Sequence, residues 1–199
     1  MRSMVEGAPG RIRSQVLRRS AVPVADANAS VLLVVDFQGR LMPAIQDGEA
    51  AVGNTRRLIE AARLLAVPIV YTEQNPKGLG GTVESLAPRD GASVVSKMTF
   101  DAWRSPDLRA AVPAGREFVV TGCEAHVCVL QTVLGALADG RRVKVVRDAI
   151  ASRREESRAA ALERMGRAGA EIVTTEMVVF EWLGSAEHPA FKEAIALIK

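Results

Sequence analysis

Three polar residues in the sequence have side chains suited to nucleophilic catalysis: Asp36, Lys97 and Cys128. Each stands at, or shortly after, the C-terminal end of a short apolar run. A thiolate is a strong nucleophile, a carboxylate accepts its proton and returns it to a leaving group, and an ammonium group stabilises negative charge. If the fold brings the three together, they are equipped for acyl transfer through a thioester.

Cys128 stands near the N-terminus of a helix predicted over residues 125–138. Unpaired N–H groups and the positive end of the helix dipole lower the pKa of a thiol at such a position, and a nearby lysine lowers it further. The N–H groups of residues 122–128 are also suited to hold an oxyanion. Each residue has a simpler interpretation as well: Cys128 as a packed core residue, Asp36 as a turn cap and Lys97 as a surface residue.

The other cysteine and the two histidines do not extend this set to a metal site. Zinc needs more Cys or His ligands at suitable spacing than Cys123 and Cys128 supply, so the sequence predicts no metal and no cofactor. We expect Cys123 to be structural. His126 lies two positions before Cys128, where helix neighbours do not face each other, so we expect it to line a pocket rather than to act as a base. His188 is predicted to be a capping or surface residue.

The elements that must position these residues follow from short apolar runs that alternate with amphipathic segments. Strands are predicted over residues 31–35, 68–71, 93–96, 117–121, 143–146 and 170–173. Helices are predicted over residues 48–66, 125–138, 154–168, 176–183 and 189–198. Residues 73–89 contain several glycines and prolines, and they are predicted to form a loop that lacks a phosphate-binding glycine motif.

This order predicts an α/β fold: a doubly wound, mostly parallel six-stranded sheet with helices on both faces, in a three-layer sandwich. Ligands of such sheets bind outside the carboxyl ends of the strands, where the strand order reverses. Asp36, Lys97 and Cys128 would then converge on one crevice.

Length and charge fit a single domain in a chain of 199 residues with a formal net charge of +3. We assign residues 29–199 to the domain. Residues 1–28 form an arginine-rich N-terminal extension that we interpret as a flexible tail, a transit peptide or the product of an early start codon. Most of the basic excess lies in this extension and aromatic residues are only 4%, which argues against nucleic-acid binding. No apolar run approaches the roughly 18 residues that cross a bilayer.

Two cysteines are too few for a disulfide-stapled secreted domain, so we expect a cytoplasmic protein with reduced thiols. The apolar terminal helices and the sheet edges predict a homo-oligomer. The expected partner at the crevice is a small-molecule substrate.

The chain resembles the isochorismatase-like cysteine hydrolases over about residues 30–199. The resemblance rests on Leu-Val-Val-Asp-Phe-Gln at residues 33–38, Ser-Lys at residues 96–97, and Val-Thr-Gly-Cys-Glu-Ala-His-Val-Cys-Val at residues 120–129. Residues 71–80 and 188–192 are similar to the subgroup of isochorismatase domain-containing proteins.

This resemblance implies that Asp36, Lys97 and Cys128 form the family's catalytic triad. In it Cys128 attacks a carbonyl, Asp36 moves the proton, and Lys97 stabilises the thiolate and orients Asp36. The resemblance also implies a non-proline cis peptide bond between Cys123 and Glu124, and an oxyanion hole formed by the N–H groups of Glu124 and Cys128.

The chain departs from two branches of the family. Nicotinamidases of this fold hold a metal with histidines after the second strand, whereas residues 73–76 contain no histidine. Isochorismatases proper cleave a vinyl ether without this cysteine, so Cys128 favours hydrolysis of a C–N bond in an amide or urea. The side chains expected around the substrate are Phe37, Gln38, Phe100, Trp103 and His126.

Three alternatives stay open. The chain is compatible with a non-catalytic interaction or scaffold protein on a hydrolase fold, since fold does not settle function. Vinyl-ether hydrolysis of the isochorismatase type is a second alternative. In the third, Cys128 and Cys123 are the peroxidatic and resolving thiols of a redox sensor.

Overall fold

The computed structural model describes residues 24–89 and 91–199, and a parallel sheet forms their centre. The strand order is β3-β2-β1-β4-β5-β6, and every neighbouring pair is parallel. The strands are β1 (Ser30–Val35), β2 (Ile69–Gln74), β3 (Ser93–Lys97), β4 (Glu117–Cys123), β5 (Val143–Ala151) and β6 (Glu171–Val173). The predicted fold class is confirmed, and the sheet is wholly rather than mostly parallel.

Helices cover both faces of this sheet. They are α1 (Gly48–Leu64), α2 (Pro76–Leu79), α3 (Pro106–Ala111), α4 (Leu130–Ala138), α5 (Glu155–Arg167), α6 (Thr175–Leu183) and α7 (Phe191–Ile198). The helix predicted over residues 125–138 is not α-helical throughout, because a π-helical turn, Ala125–Val129, precedes α4. Within the described ranges, none of these helices combines the length and apolarity needed to cross a bilayer.

The central strands β1 and β4 are buried at every residue. A strand covered by helices on both faces forms a nearly continuous apolar run, which is what residues 31–35 predict. The chain moves outward from β1 to β2 and β3, and it then returns to β4 before moving outward the other way. The strand order therefore reverses between β1 and β4, and their carboxyl ends flank the crevice where ligands of such folds bind.

Alternate residues of β1 pack into two separate cores. Leu32 and Val34 lie in the core formed with α1, α6 and α7, whereas Leu33 and Val35 lie in the core formed with α3, α4 and α5. Burying a leucine or valine side chain contributes about 1.5–3 kcal/mol, and a shift of one residue would exchange the two faces. This packing fixes the register of β1 and so the position of Asp36 that follows it.

The strand β5 is longer than predicted, since it ends at Ala151 rather than at residue 146. Its register against β4 shifts between Val120 and Gly122, and pairing resumes at Ile150. The periodicity of the apolar run alone does not reveal this irregularity, which carries β5 to the crevice edge of the sheet.

The predicted loop over residues 73–89 contains regular structure. Its first two residues complete β2, and the four-residue helix α2 follows with Pro76 at its first position, where the missing N–H costs nothing. An isolated antiparallel bridge between Gln38 and Thr82 pairs the middle of this segment with the residues that follow β1.

The predicted N-terminal extension lies mostly outside the described residues, which begin at residue 24. Residues 24–28 are mostly exposed, although Ala25 is buried and its N–H donates to the Glu181 carboxylate at 2.6 Å. The domain boundary at residue 29 stays a prediction.

Candidate active site

The carboxylate of Asp36 lies fully buried at the carboxyl end of β1. The backbone of Asp36 is left-handed, with φ +53°, a conformation that aspartate tolerates better than most residues. Its Oδ1 accepts a hydrogen bond from the Thr72 hydroxyl at 2.7 Å. Its Oδ2 accepts one from the Lys97 ammonium at 2.6 Å. Both oxygens are therefore held in place by side chains from neighbouring strands.

Lys97 is the last residue of β3 and reaches across β2 to Asp36. The side chains of this ion pair are almost completely buried. The ammonium group also donates to Gln74 Oε1 at 2.9 Å. Gln74 and Lys97 are register partners in neighbouring strands, so the sheet itself sets their separation.

Cys128 completes the group from the π-helical turn after β4. It is 6% exposed, and its thiol lies close enough to Asp36 and Lys97 for both charges to act on its pKa. The structure therefore brings together the three residues that the sequence placed in one crevice. They come from β1, β3 and the turn after β4, which are brought together by the strand order.

Gly122 allows β4 to approach β1 closely just before this turn. Its φ is +151°, and a Cβ placed there would lie 2.5 Å from both the Cβ and the carbonyl oxygen of Val35. A side chain at this position would meet backbone atoms that cannot move aside. The glycine thus lets the chain turn from β4 toward Cys128 beside the end of β1.

The pKa of the Cys128 thiol moves in the direction opposite to our expectation. Burial, and then the negative charge of Asp36, raise the pKa of Cys128 to about 12, although the Lys97 ammonium opposes them. The predicted lowering of the pKa is therefore wrong, because loss of hydration outweighs the single neighbouring cation. A pKa raised in this way favours the neutral thiol over the thiolate at physiological pH.

The peptide bond between Cys123 and Glu124 is cis, as the resemblance implied. The carbonyl of Glu124 accepts the N–H groups of Val127 and Val129, which closes the π-helical turn. Burial raises the pKa of Cys123, whose side chain is fully enclosed. This environment agrees with a structural role for Cys123.

Three of the five expected pocket residues do not line an open pocket. Phe37 and Gln38 are completely buried and Trp103 is nearly so. Phe37 belongs to the core beneath α1, while the Gln38 amide donates to the carbonyls of Gln74 and Gly80. Phe37, Gln38 and Trp103 are thus enclosed by protein, and their place beside a substrate stays a prediction.

The Trp103 side chain is enclosed by specific contacts. Its indole N–H donates to Asp139 at 2.9 Å, its ring packs edge-on against Phe118, and two arginine side chains cover it. An aromatic residue that follows a strand can line a pocket only where no other side chain packs against its ring. Of the remaining candidates, Phe100 is 51% exposed and His126 is partly exposed.

Thr72 and Gln74 are site residues that the sequence analysis missed. Both lie on β2 with their side chains directed to the same face, and they hold Asp36 and Lys97 respectively. Gln74 is fixed in turn, since its side-chain amide donates to the Met98 carbonyl and its N–H donates to Gln38. Residues two apart on a strand point to the same face, so two polar residues at its carboxyl end would have indicated site residues. The strand was predicted to end at residue 71, however, which left Thr72 and Gln74 outside it.

Among residues 24–89 and 91–199, no group of three or more His, Cys, Asp and Glu side chains is placed to hold a metal ion. His188 accepts the N–H of Ala190 at 3.1 Å, which is a local turn contact of the predicted kind.

Comparison with known proteins gives one family. The isochorismatase domain matches residues 30–177. The chain is 40% identical over 173 residues to isochorismatase domain-containing protein 1 of Danio rerio, a match that covers 85% of this chain and 61% of that protein. It is 38% identical over 174 residues to isochorismatase domain-containing protein 2 of Homo sapiens, covering 86% of this chain and 83% of that protein. The chain thus matches less than two thirds of the length of the first relative.

Solved structures with the same fold include proteins described by different activities. A MAR1 ribonuclease from Caenorhabditis elegans has a TM-score of 0.82 and 35% identity, covering 90% of this chain and 92% of that chain. The YcaC gene product of Escherichia coli, an octameric hydrolase of unknown specificity, has a TM-score of 0.80 and 28% identity. The match covers 90% of this chain and 89% of that chain. YcaC from Pseudomonas aeruginosa, solved with covalent acrylamide, has a TM-score of 0.77 and 28% identity. The match covers 90% of this chain and 98% of that chain.

Proposed function

Because the chain belongs to the isochorismatase domain family, we propose that it is a hydrolase and that it cleaves a small amide through a thioester on Cys128. The observation that carries the proposal is the position of one thiol beside a buried ion pair, Asp36 and Lys97, both of which act on its pKa. A structural core cysteine has no need of such neighbours, whereas a nucleophile needs a base and a cation.

In the proposed first step, Cys128 Sγ attacks the amide carbon and its proton passes to Asp36. The carbonyl oxygen becomes an oxyanion held by the N–H groups of Glu124 and Cys128. Asp36 then returns the proton to the amide nitrogen, which leaves as ammonia or an amine, and the thioester remains. Because burial keeps the thiol neutral in the free enzyme, proton transfer to Asp36 has to accompany attack.

In the second step, water attacks the thioester carbon and gives a proton to Asp36. The carbon–sulfur bond breaks, the acid leaves, and Asp36 returns the proton to Sγ. Lys97 stays charged throughout; it stabilises the developing thiolate and holds Asp36 Oδ2 in place. The narrow exposure of Cys128 restricts the reaction to a small molecule.

Turnover of a panel of small amides, ureas and esters by wild type and by Cys128→Ala tests the proposal. We expect at least a 10³-fold loss of amide turnover in Cys128→Ala, since removal of a nucleophile leaves only binding contributions. Undiminished turnover by Cys128→Ala would refute the thioester mechanism, and vinyl-ether cleavage by that variant would favour the isochorismatase-type reaction. A folded wild type without activity on any substrate class would favour the scaffold interpretation.

Acrylamide provides a substrate-independent test of the same thiol. A related YcaC protein has been solved with covalent acrylamide. We propose that acrylamide adds to Cys128 of this chain, and peptide mass spectrometry should place the adduct there rather than on the fully enclosed Cys123. Modification of Cys123 alone would count against Cys128 as the reactive thiol. Peroxide treatment that joins the two thiols would favour the redox alternative instead.

RNA hydrolysis is a second candidate, favoured by one observation: the similar Caenorhabditis elegans structure is described as a ribonuclease. Asp36, Lys97 and Cys128 are all too enclosed for a polynucleotide backbone to reach without rearrangement. We therefore favour the small-molecule reaction and no nucleic-acid partner. RNA cleavage by wild type that is lost in Cys128→Ala would reverse this preference.

We also propose that the chain forms a homo-oligomer and acts in the cytoplasm. The similar Escherichia coli protein is octameric, and Val94, Met98 and Phe100 expose apolar surface around the edge strand β3. Two free thiols suit a reducing compartment. Light scattering tests the first statement, with a monomer as the contradicting result, and microscopy of a tagged full-length chain tests the second.

A further inference from the structure

A small polar cavity of about 190 Å³ lies between α1 and the segment of residues 84–89, which precedes β3. Three arginines and two glutamates form its charged lining, which leaves an excess of one positive charge. They are Arg56, Glu60 and Arg63 of α1 and Glu84 and Arg89 of the segment. None of them belongs to the group around Cys128, so the cavity takes no part in the mechanism above.

A buried phenol lies beneath this cavity. Tyr71 of β2 is 1% exposed, and its hydroxyl has no hydrogen-bond partner within the described residues. Burial raises the pKa of Tyr71, and the charges that act on it are those of Arg63, Glu60 and Arg89, all of which line the cavity. A buried hydroxyl without a partner is costly, because it loses its hydration and gains nothing in exchange. This donor is therefore available to a ligand above it.

Arg56 supplies a second group without a partner. Among the residues that the structure describes, its guanidinium group makes neither a hydrogen bond nor an ion pair. It lies in the wall between this cavity and a larger groove of about 890 Å³, since both are lined by Arg56 and Ser85. All five of its N–H donors are thus open to an incoming anion.

The other two guanidinium groups share one acceptor. Arg63 and Arg89 both donate to Glu60 Oε1, at 2.6 and 3.3 Å. These contacts occupy one nitrogen of each arginine, so each keeps further donors for a ligand. The Arg89 side chain is 69% exposed, and exposed pairs contribute little, so Arg89 can exchange Glu60 for another anion at small cost.

Donors on several walls favour a tetrahedral anion over a planar one. A carboxylate presents two coplanar oxygens, which one guanidinium group can hold, whereas a phosphate group presents three oxygens in different directions. Here guanidinium groups come from both α1 and the opposite segment, and the phenol lies at the base. The neighbouring groove has an apolar lining suited to an organic substituent: Met42, Pro43, Ile45, Val52 and Val83.

We propose that this cavity is a binding site for a phosphate group, separate from the site at Cys128. Arg56 and Arg63 hold the anion, Arg89 turns toward it from Glu60, and Tyr71 donates from below. In a phosphate monoester the organic part lies in the neighbouring groove, whereas free phosphate leaves the groove empty.

Calorimetric titration of the full-length chain with inorganic phosphate and with phenyl phosphate, at equal ionic strength, tests the site. We expect saturable binding of one phosphate per chain. Tighter binding of phenyl phosphate identifies a monoester as the ligand, and equal or weaker binding identifies free phosphate. Acetate, which has two coplanar oxygens and a single charge, should bind at least about 10-fold more weakly than inorganic phosphate.

Arginine variants identify the source of the affinity. Arg56→Gln and Arg63→Gln should each weaken phosphate binding at least about 10-fold, because each removes a charged donor. Arg57→Gln is the matched control, since it removes an equal charge from the same helix. Arg57 donates to the Leu197 carbonyl instead of lining the cavity, so its replacement should leave the affinity unchanged.

Two further variants distinguish ligand binding from a structural role. Glu60→Gln should strengthen phosphate binding, because it removes the negative charge that Arg63 and Arg89 share. Tyr71→Phe should weaken binding by a smaller factor while leaving the melting temperature without phosphate unchanged or raised, since its hydroxyl has no partner to lose.

Absence of saturable binding of both phosphate probes to wild type would overturn the proposal. So would affinity for phosphate that survives undiminished in both Arg56→Gln and Arg63→Gln, equal affinity for acetate, or a Glu60→Gln variant that binds no more tightly than wild type. Circular dichroism shows that each variant is folded before it is compared. None of these measurements depends on amide turnover at Cys128.

Discussion

The Lys97 ammonium lies 2.6 Å from the Asp36 carboxylate, although 61 positions of sequence and the whole of β2 separate the two residues. Lys97 ends β3 and Asp36 directly follows β1, and parallel strands have their carboxyl ends at the same edge of a sheet. A buried ion pair of this kind is costly to form, because both groups lose their hydration. Its presence beneath a thiol is better explained by chemistry than by stability.

Removing the lysine should affect both activity and stability. Lys97→Met leaves the Asp36 charge buried without its cation, and such losses cost about 3–5 kcal/mol. We expect the free energy of unfolding to fall by that amount in urea titrations, and amide turnover to fall at least 10²-fold. The double variant Lys97→Met with Asp36→Asn should recover stability but not turnover. Equal destabilisation in the single and double variants would show that the pair is not coupled.

Replacing the base should separate thiol reactivity from catalysis. Burial and the charge of Asp36 raise the pKa of Cys128 to about 12, so Asp36→Asn removes one raising cause and leaves only burial to oppose the Lys97 ammonium. The pKa should fall, and more thiolate should be present at any given alkaline pH. Iodoacetamide should then modify Cys128 of Asp36→Asn faster than that of wild type, while amide turnover drops.

The pH profile of this alkylation, followed by mass spectrometry, checks the sign. In wild type the alkylation rate should keep rising at pH values well above 8.5, the approximate pKa of a free thiol. In Asp36→Asn the profile of rate against pH should shift to lower pH. Asp107→Asn, on the exposed surface of α3, is the matched control and should behave as wild type. A profile shifted upward in Asp36→Asn would contradict the assigned electrostatics.

Gln74 should act as a positioning residue for Lys97. Gln74→Leu removes the acceptor at 2.9 Å and the donor to Met98, so the ammonium group loses one of its fixed partners. We expect kcat to fall about 10-fold or more with little change in KM, and stability to fall by about 1–3 kcal/mol.

Gln74→Glu distinguishes positioning from packing. A carboxylate keeps the hydrogen bond to Lys97 but not the one to Met98, and it competes with Asp36 for the ammonium charge, so only part of the stability should return while kcat stays low. The exposed Gln131→Leu of α4 is the control for a generic glutamine replacement. A Gln74→Leu variant with normal kcat would remove Gln74 from the active site.

Gly122 should tolerate no side chain. Gly122→Ala places a Cβ 2.5 Å from backbone and Cβ atoms of Val35, so β1 and β4 must separate just before the catalytic turn. We expect the free energy of unfolding to fall by more than about 3 kcal/mol, together with loss of acrylamide labelling at Cys128.

Gly53→Ala is the opposite case within the same chain. Gly53 lies inside α1, and the nearest atom to an added Cβ is a flexible arginine terminus at 3.8 Å. Alanine there should stabilise the protein by about 0.5–1 kcal/mol, as glycine is a poor helix former. Similar melting-temperature changes at the two positions would mean that the close approach of β4 to β1 is not what Gly122 provides.

The sequence by itself determined the fold class, the strand positions and the three polar residues at the crevice. These properties follow from local periodicity and from the rule that parallel strands present their carboxyl ends at one edge, so residues 31–35 sufficed to place Asp36. The sequence also located Cys128 after β4, because a buried strand, a glycine turn and a helix follow one another there.

Only the tertiary structure decided how those residues interact. The partners of Asp36 and Lys97, namely Thr72 and Gln74, are set by the register between β1, β2 and β3, whose residues lie far apart in the sequence. The high pKa of Cys128 depends on how many atoms enclose the thiol, and the burial of Trp103 depends on residues from other elements. Periodicity specifies which face a side chain takes, whereas enclosure and charge balance depend on everything that packs against that face.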